Sequence, residues 1–157
     1  MPDRGLREID VTDLERVVTI DRCLAGRSRR HFFEARFAAA RERPDDFIHV
    51  GVMRGGALRG FALARIMSGE FGRQRKVALL DVIGVEAYSQ RIGVGQELMT
   101  ELVRRAQARG VGSLQSQAAW TNYSLLRFFE MSGFRLAPRS ALERPVARPL
   151  TEATADL

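Results

Sequence analysis

A single cysteine, Cys23, stands in the 157 residues, so no internal disulfide can form. Two histidines, His31 and His49, are too few to build a zinc cluster with it, and no metal is expected. Lysine is nearly missing as well: Lys76 is the only one among 25 basic residues. The net charge of +6 would suit a polyanionic partner. The arginines, however, run from Arg4 to Arg148 without one dense cluster, which argues against nucleic acid. Long apolar runs are absent too, the longest falling well short of the roughly 18 residues a membrane span needs. The opening stretch MPDRGLREID has no apolar signal core. These absences predict no membrane partner and a cytoplasmic location.

What is present is the profile of one ordinary soluble domain, with 45% hydrophobic and 28% charged residues. We assign it to residues 1–146, with 147–157 as a frayed tail. A strand is predicted at Leu6 to Ile9, then a helix capped by Thr12 with Glu15 returning the bond. A second helix places Phe33 and Phe37 on its buried side and closes before Pro44. The period then changes to two β-rich runs around Gly55 and Gly56, a hairpin signal. VALLDVIGV (77–85) reads as a central strand, with Asp81 its only charge. A helix from about Gly95 to Arg109 follows, in which Glu101 can pair with Arg105. SLQSQAAW is the next strand, NYSLLRFFEM a shorter helix, and GFRL with ALERPV are two final strands.

Between the central strand and the long helix lies SQRIGVGQELM, where Gly93 and Gly95 stand at a helix start. Unpaired backbone N–H groups and the positive end of the helix dipole converge there, which makes an anion site whose usual guest is phosphate. A plain reading, in which Gly93 only shapes a tight turn, also fits. Two familiar phosphate motifs do not. Gln96 and Glu97 follow Gly95 where a P-loop needs Lys and Ser or Thr. Leu98 stands where a dinucleotide fold needs its third glycine, and no acidic residue lies between Leu102 and Phe129.

The run from Leu79 to Gly110 resembles the acetyl-CoA-binding motif of the GNAT N-acetyltransferases, Gln/Arg-x-x-Gly-x-Gly/Ala after a central strand, with Gln90, Gly93 and Gly95 in its three positions. NYSLLRFFEMSGF is similar to that family's Asn-led helix ending in Gly-Phe. The resemblance implies an α/β fold with a mixed, mostly antiparallel sheet of about seven strands flanked by about four helices. It implies acetyl-CoA as cosubstrate and a primary amine on a small molecule or protein as acceptor. Backbone N–H groups of Arg91, Ile92, Gly93, Val94, Gly95 and Gln96 would hold the pyrophosphate, and side chains at 93 or 95 would block it. The central strand would splay from its neighbour around Ile83, Gly84 and Val85 and pair with the pantetheine arm. Asn122 would bond that arm, cap its helix, or do both.

Acetyl transfer needs an uncharged amine, an acceptor for its proton, and an acid for the leaving thiolate. The family often places that acid on a Tyr that corresponds here to Phe129, so the usual acid is missing; Tyr88 and Tyr123 stand elsewhere. A non-catalytic acyl-CoA-binding module is therefore the rival reading. Asp81, on the alternating face of Leu79 and Ile83, is either the base or an aspartate bonded to backbone or to an arginine. Glu86 reads as a solvated carboxylate and both histidines as structural. In this fold the link between the first two helices forms an acceptor wall. Arg27, Arg29 and Arg30 there would grip an anionic acceptor or form a solvated cluster, and Trp120 would line the acceptor pocket or fill core. A homodimer is compatible with all of this.

Overall fold

The computed structural model describes residues 5–90, 92–147 and 149. Strand β1 (Gly5–Glu8) leads through a turn into helix α1 (Leu14–Ala25) and helix α2 (Arg30–Glu42). Strands β2 (Phe47–Arg54), β3 (Ala57–Met67) and β4 (Val77–Val85) precede α3 (Val94–Ala108), β5 (Ser113–Ser116) and α4 (Tyr123–Met131). The five strands lie in sequential order, antiparallel from β1 to β4, with β5 parallel to β4. The β2–β3 hairpin turns on Gly55 and Gly56, whose φ of +61° and +75° match the mirror-image turn that follows the twist of paired strands.

Alternation along β3 builds a three-layer core. Ala62 and Ala64 face α3 and α4, where they meet Ile48, Val50, Leu80, Leu98, Leu102 and Phe129. Phe61 and Leu63 face α1 and α2 and meet Val17, Ile20, Phe33 and Phe37. Along β3 the residues toward α3 and α4 are small and those toward α1 and α2 are large, so this strand contributes to both helix layers. Helix α3 keeps the predicted Glu101–Arg105 bond at 2.8 Å. Arg104 adds a second guanidinium, at 2.6 and 2.9 Å, and its bond first of all holds the Glu101 carboxyl down at about 2.

Three expectations about elements are corrected. The first helical entry is capped two residues earlier than predicted, by Asp10 rather than Thr12. The Asp10 carboxylate accepts from Thr12 N at 2.8 Å, and Asp13 returns the bond to Asp10 N at 3.1 Å. Glu15 is drawn instead to Arg30. Second, β5 stops at Ser116, so Trp120 lies in the turn before α4 and is 87% exposed. Third, the sheet has five strands among the described residues, not about seven: GFRL and ALERPV form none. Leu136, Leu142 and Val146 there lie exposed, and Pro138 and Pro145 remove ladder donors on which a strand would depend.

A further departure concerns β4 itself. Leu63 pairs with Val82 and Ala64 with Leu80, so Asp81 is the extra residue of a β-bulge. The bulge reverses the alternation. Val82 packs toward α1 and α2 while Ile83 and Val85 pack toward α3 and α4. Asp81 therefore does not share a face with Ile83.

Candidate functional site

Pairing between β4 and β5 runs from Val77 with Ser113 to Leu80 with Ser116 and ends there. From Asp81 to Val85 the outer edge of β4 has no strand partner among the described residues. Ile83, Gly84 and Val85 lie on this open edge, which begins two residues before Ile83. Gly84 is glycine for a packing reason: a Cβ there would stand 2.8 Å from the Phe61 ring. Gln90 bends back so that Nε2 donates to Val85 O at 3.1 Å, tying the loop to the end of the strand.

The loop then delivers α3. Gly93 sits at its N-cap with φ +89°, a left-handed conformation that favours glycine, and open space surrounds the place where its Cβ would be. The first intrahelical bond runs from Glu97 N to Gly93 O, so the N–H groups of Val94, Gly95 and Gln96 have no acceptor within the helix. The Val94 side chain is fully buried and anchors this turn, whereas Ile92 is exposed. Gln96 Nε2 donates to Ser132 Oγ at 3.1 Å, and Glu97 is held by Arg54. Gly95 has a role the sequence did not reveal: its Cβ would lie 3.0 Å from the Phe128 ring, so it also permits α4 to pack against α3. Arg91 lies outside the described residues.

Asn122 caps α4, its Oδ1 accepting from Leu125 N at 3.2 Å. Phe129 is buried against Phe128 and Phe134, with ring centroids 6.0 and 4.8 Å away, and brings no hydroxyl. Tyr88 and Tyr123 are both strongly exposed.

Asp81 is bonded to arginine. Its carboxylate accepts two bonds from Arg65, at 2.8 and 2.9 Å, and lies 3.3 Å from Arg36 Nε. Both of its oxygens are thus engaged by guanidiniums. Arg29 and Arg30 are engaged as well: Arg29 clamps the buried Asp21 at 2.5 and 2.9 Å, and Arg30 clamps Glu15 at 2.8 Å through each nitrogen. They lock α1 to α2, and Arg27 between the helices is exposed. Glu86, just past β4, is also doubly held. Its burial favours the neutral form, but bonds from Arg16 at 2.8 Å and Arg59 at 3.0 Å outweigh that and lower its pKa. Arg65 and Arg36 are not legible in the sequence as partners of Asp81, because the partner of a lone strand aspartate depends on register between strands. The signal available was a second solitary charge, Arg65, near the end of the apolar run in β3.

His49 on β2 lies between the edges of Phe37 and Phe47, each centroid 5.5 Å from its own, with both ring nitrogens lacking a hydrogen-bond partner. Burial first, then Arg36, pushes its pKa down to about 4, with Arg109 adding and Asp81 opposing. The folded state then resists protonation that the unfolded chain accepts below about 6.5, so stability falls as pH drops from about 6.5 toward 4. Between pH 7 and pH 5 the expected loss is about 2 kcal/mol, in a window above the ordinary titration of carboxylates. Urea unfolding at the two pH values measures it. The His49→Gln variant should lose most of that pH dependence; an equal slope in the variant would assign it elsewhere.

The comparisons with known proteins agree with this geometry. The model of the Acetyltransferase (GNAT) family matches residues 12–134. No curated protein matches the chain in sequence. Among solved structures, a possible acetyltransferase from Clostridium difficile 630 superposes with a TM-score of 0.77 at 11% identity, covering 92% of this chain and 99% of its own. The aminoglycoside N-acetyltransferase AAC(6')-Iy in complex with CoA gives 0.75 at 20% identity, with 94% and 97% covered. A transcriptional regulator from Bacillus halodurans C-125 gives 0.74 at 19% identity, with 91% and 99% covered. At these identities the structural likenesses speak to the fold, while the family match spans most of the chain: it belongs to the GNAT acetyltransferase family.

Proposed function

We propose that the chain transfers the acetyl group of acetyl-CoA to a primary amine. The observation that carries this reading is the open edge of β4 running into an α3 N-terminus whose first N–H groups are unpaired. These fit the two halves of the cosubstrate: an extended amide arm can add to the strand edge, and a pyrophosphate can accept from the helix start. Ile83, Gly84 and Val85 serve the arm through their backbone, and the loop from Gln90 to Gln96 serves the phosphates. Asn122, the N-cap of α4, is the side chain assigned to the arm.

In the reaction the amine nitrogen bonds to the acetyl carbon, the carbon–sulfur bond breaks, and the amine proton is lost while the thiolate departs. Phe129 cannot donate a proton to the sulfur. A thiol pKa of about 8.5, taken from cysteine as a model, lets the thiolate leave and be protonated by water. The proton of the amine passes to water in the open cleft, since Asp81 and Glu86 are both occupied by arginines.

Mixing the protein with acetyl-CoA and a panel of amines should release free thiol together with an acetylated amine found by mass spectrometry. Tight CoA binding without any thiol release would favour the non-catalytic acyl-CoA-binding module, a reading that Phe129 supports. The homodimer is part of the same proposal, supported by the outer edge of the short β5, which has no strand partner among the described residues, and by the exposed Leu136, Leu142 and Val146. Light scattering on the eluting protein gives a dimer mass if it holds.

A further inference from the structure

Where β4 parts from β5, on the face covered by α2, two guanidiniums share one carboxylate. Asp81 is the first β4 residue beyond the paired run, and its side chain is 12% exposed. Arg65 bonds both of its oxygens, and Arg36 Nε stands 3.3 Å away, too poorly aligned to make a hydrogen bond, so that N–H is buried without an acceptor. Arg36 also lies over the Phe32 ring, 5.0 Å from its centroid, which holds the guanidinium in place. The neighbouring His49 is neutral above pH 5 and supplies no anion. The cluster thus carries one unbalanced positive charge beside the open edge of the sheet. Arg36 and Arg65 are about a quarter to a third exposed, so a ligand can reach them. Arg65 uses two of its five donors on Asp81, and the remaining donors of both side chains are available.

The carboxylates nearest the edge are already spoken for. Glu86 is held by Arg16 and Arg59, and Asp81 by Arg65 and Arg36. A polycationic acceptor needs free carboxylates, and these are doubly neutralised. An acceptor bearing an anion finds the opposite: a fork of donors already desolvated on one side and oriented by packing, suited to bidentate recognition.

We propose that Arg36 and Arg65, positioned by Asp81, bind the carboxylate of the amine acceptor, so that the acceptor is a small amino acid or related amine carrying a free carboxylate. This rests on the acetyl-transfer reading above and narrows it. It also moves the anion-binding role from Arg29 and Arg30, each matched by a carboxylate of its own in Asp21 and Glu15, to two arginines that share a single carboxylate.

The test is a matched set of amino acids and their carboxamides, with aminoglycosides and polyamines beside them, each scored with acetyl-CoA by thiol release and product mass. The expected result is a kcat/KM for free acids at least about tenfold above that for the matching amides, as one charge-assisted contact gives. In Arg36→Gln the ratio of acid to amide should fall by about tenfold through KM, and Arg36→Lys should restore part of it. A purely structural ion pair would lower both rates together and leave the ratio unmoved. Amides or polyamines acetylated as well as acids would overturn the proposal and leave acetyl transfer standing; no thiol release with any amine would overturn both.

Discussion

Replacing Gly93 by valine is expected to weaken CoA binding by at least about a hundredfold while leaving the far-ultraviolet circular dichroism close to that of the native protein. Gly93 has φ +89°, where a β-branched residue is strained by roughly 1–3 kcal/mol, so the variant gives up its loop geometry before any ligand arrives. Apart from its chain neighbours, no described protein atom lies within 4 Å of a Cβ at this position, so the core does not resist the substitution and the branched side chain would occupy open space at the N-cap of α3. Gly93→Ala should fall between the two, with less strain and a smaller obstruction. Calorimetric titration with CoA reads the affinity. Native affinity in a folded Gly93→Val protein would remove this loop from the binding site.

Gly95 behaves differently, and the contrast shows what spacing alone could reveal. From the sequence both glycines looked like members of one phosphate-binding turn. Structurally, only Gly93 has the left-handed backbone, while Gly95 has helical geometry and lies against Phe128. A motif records that glycine is required at a position; whether the requirement is a dihedral angle, a ligand or a neighbouring ring depends on packing that spacing does not encode.

The order of strands and helices up to α4 was legible because it rests on local periodicity and turn chemistry. The apolar rows of α1 and α3, the Gly55–Gly56 turn and the continuous apolar run of β4 each act within a few residues of sequence. Misread features depend on partners far along the chain. Glu15 was assigned to a cap because Thr12 stands three residues before it, yet Arg30, fifteen residues on, takes its carboxylate. The β4 bulge was invisible for the same reason, since it arises from the offset between Leu63–Val82 and Ala64–Leu80 pairs. GFRL and ALERPV have some apolar character but find no strand partner among the described residues. The anion-binding arginines were sought in the link between α1 and α2 because they cluster there in sequence; that same closeness places carboxylates of α1 within their reach.

Asp81→Asn should lower the stability of the protein by about 3 kcal/mol, or a thermal midpoint lower by roughly 6–12 °C for a chain of this size. Asparagine keeps the shape but not the charge, and its amide nitrogen can only donate where Arg65 also donates. Two guanidiniums would then face each other across the bulge with no anion between them, at side chains only about a quarter to a third exposed. Removing one partner of such a set costs more than the set itself contributes, because the remaining charges stay desolvated. The double variant Asp81→Asn with Arg65→Met should therefore recover part of the loss, and the difference measures the coupling. Activity is the second readout. If Asp81 positions the arginines, turnover of a carboxylate-bearing acceptor should suffer mainly in KM, in step with the weakened cluster. A kcat lowered by about 10² or more at unchanged stability and KM is the signature of a lost general base, and it would return the proton-accepting role to Asp81.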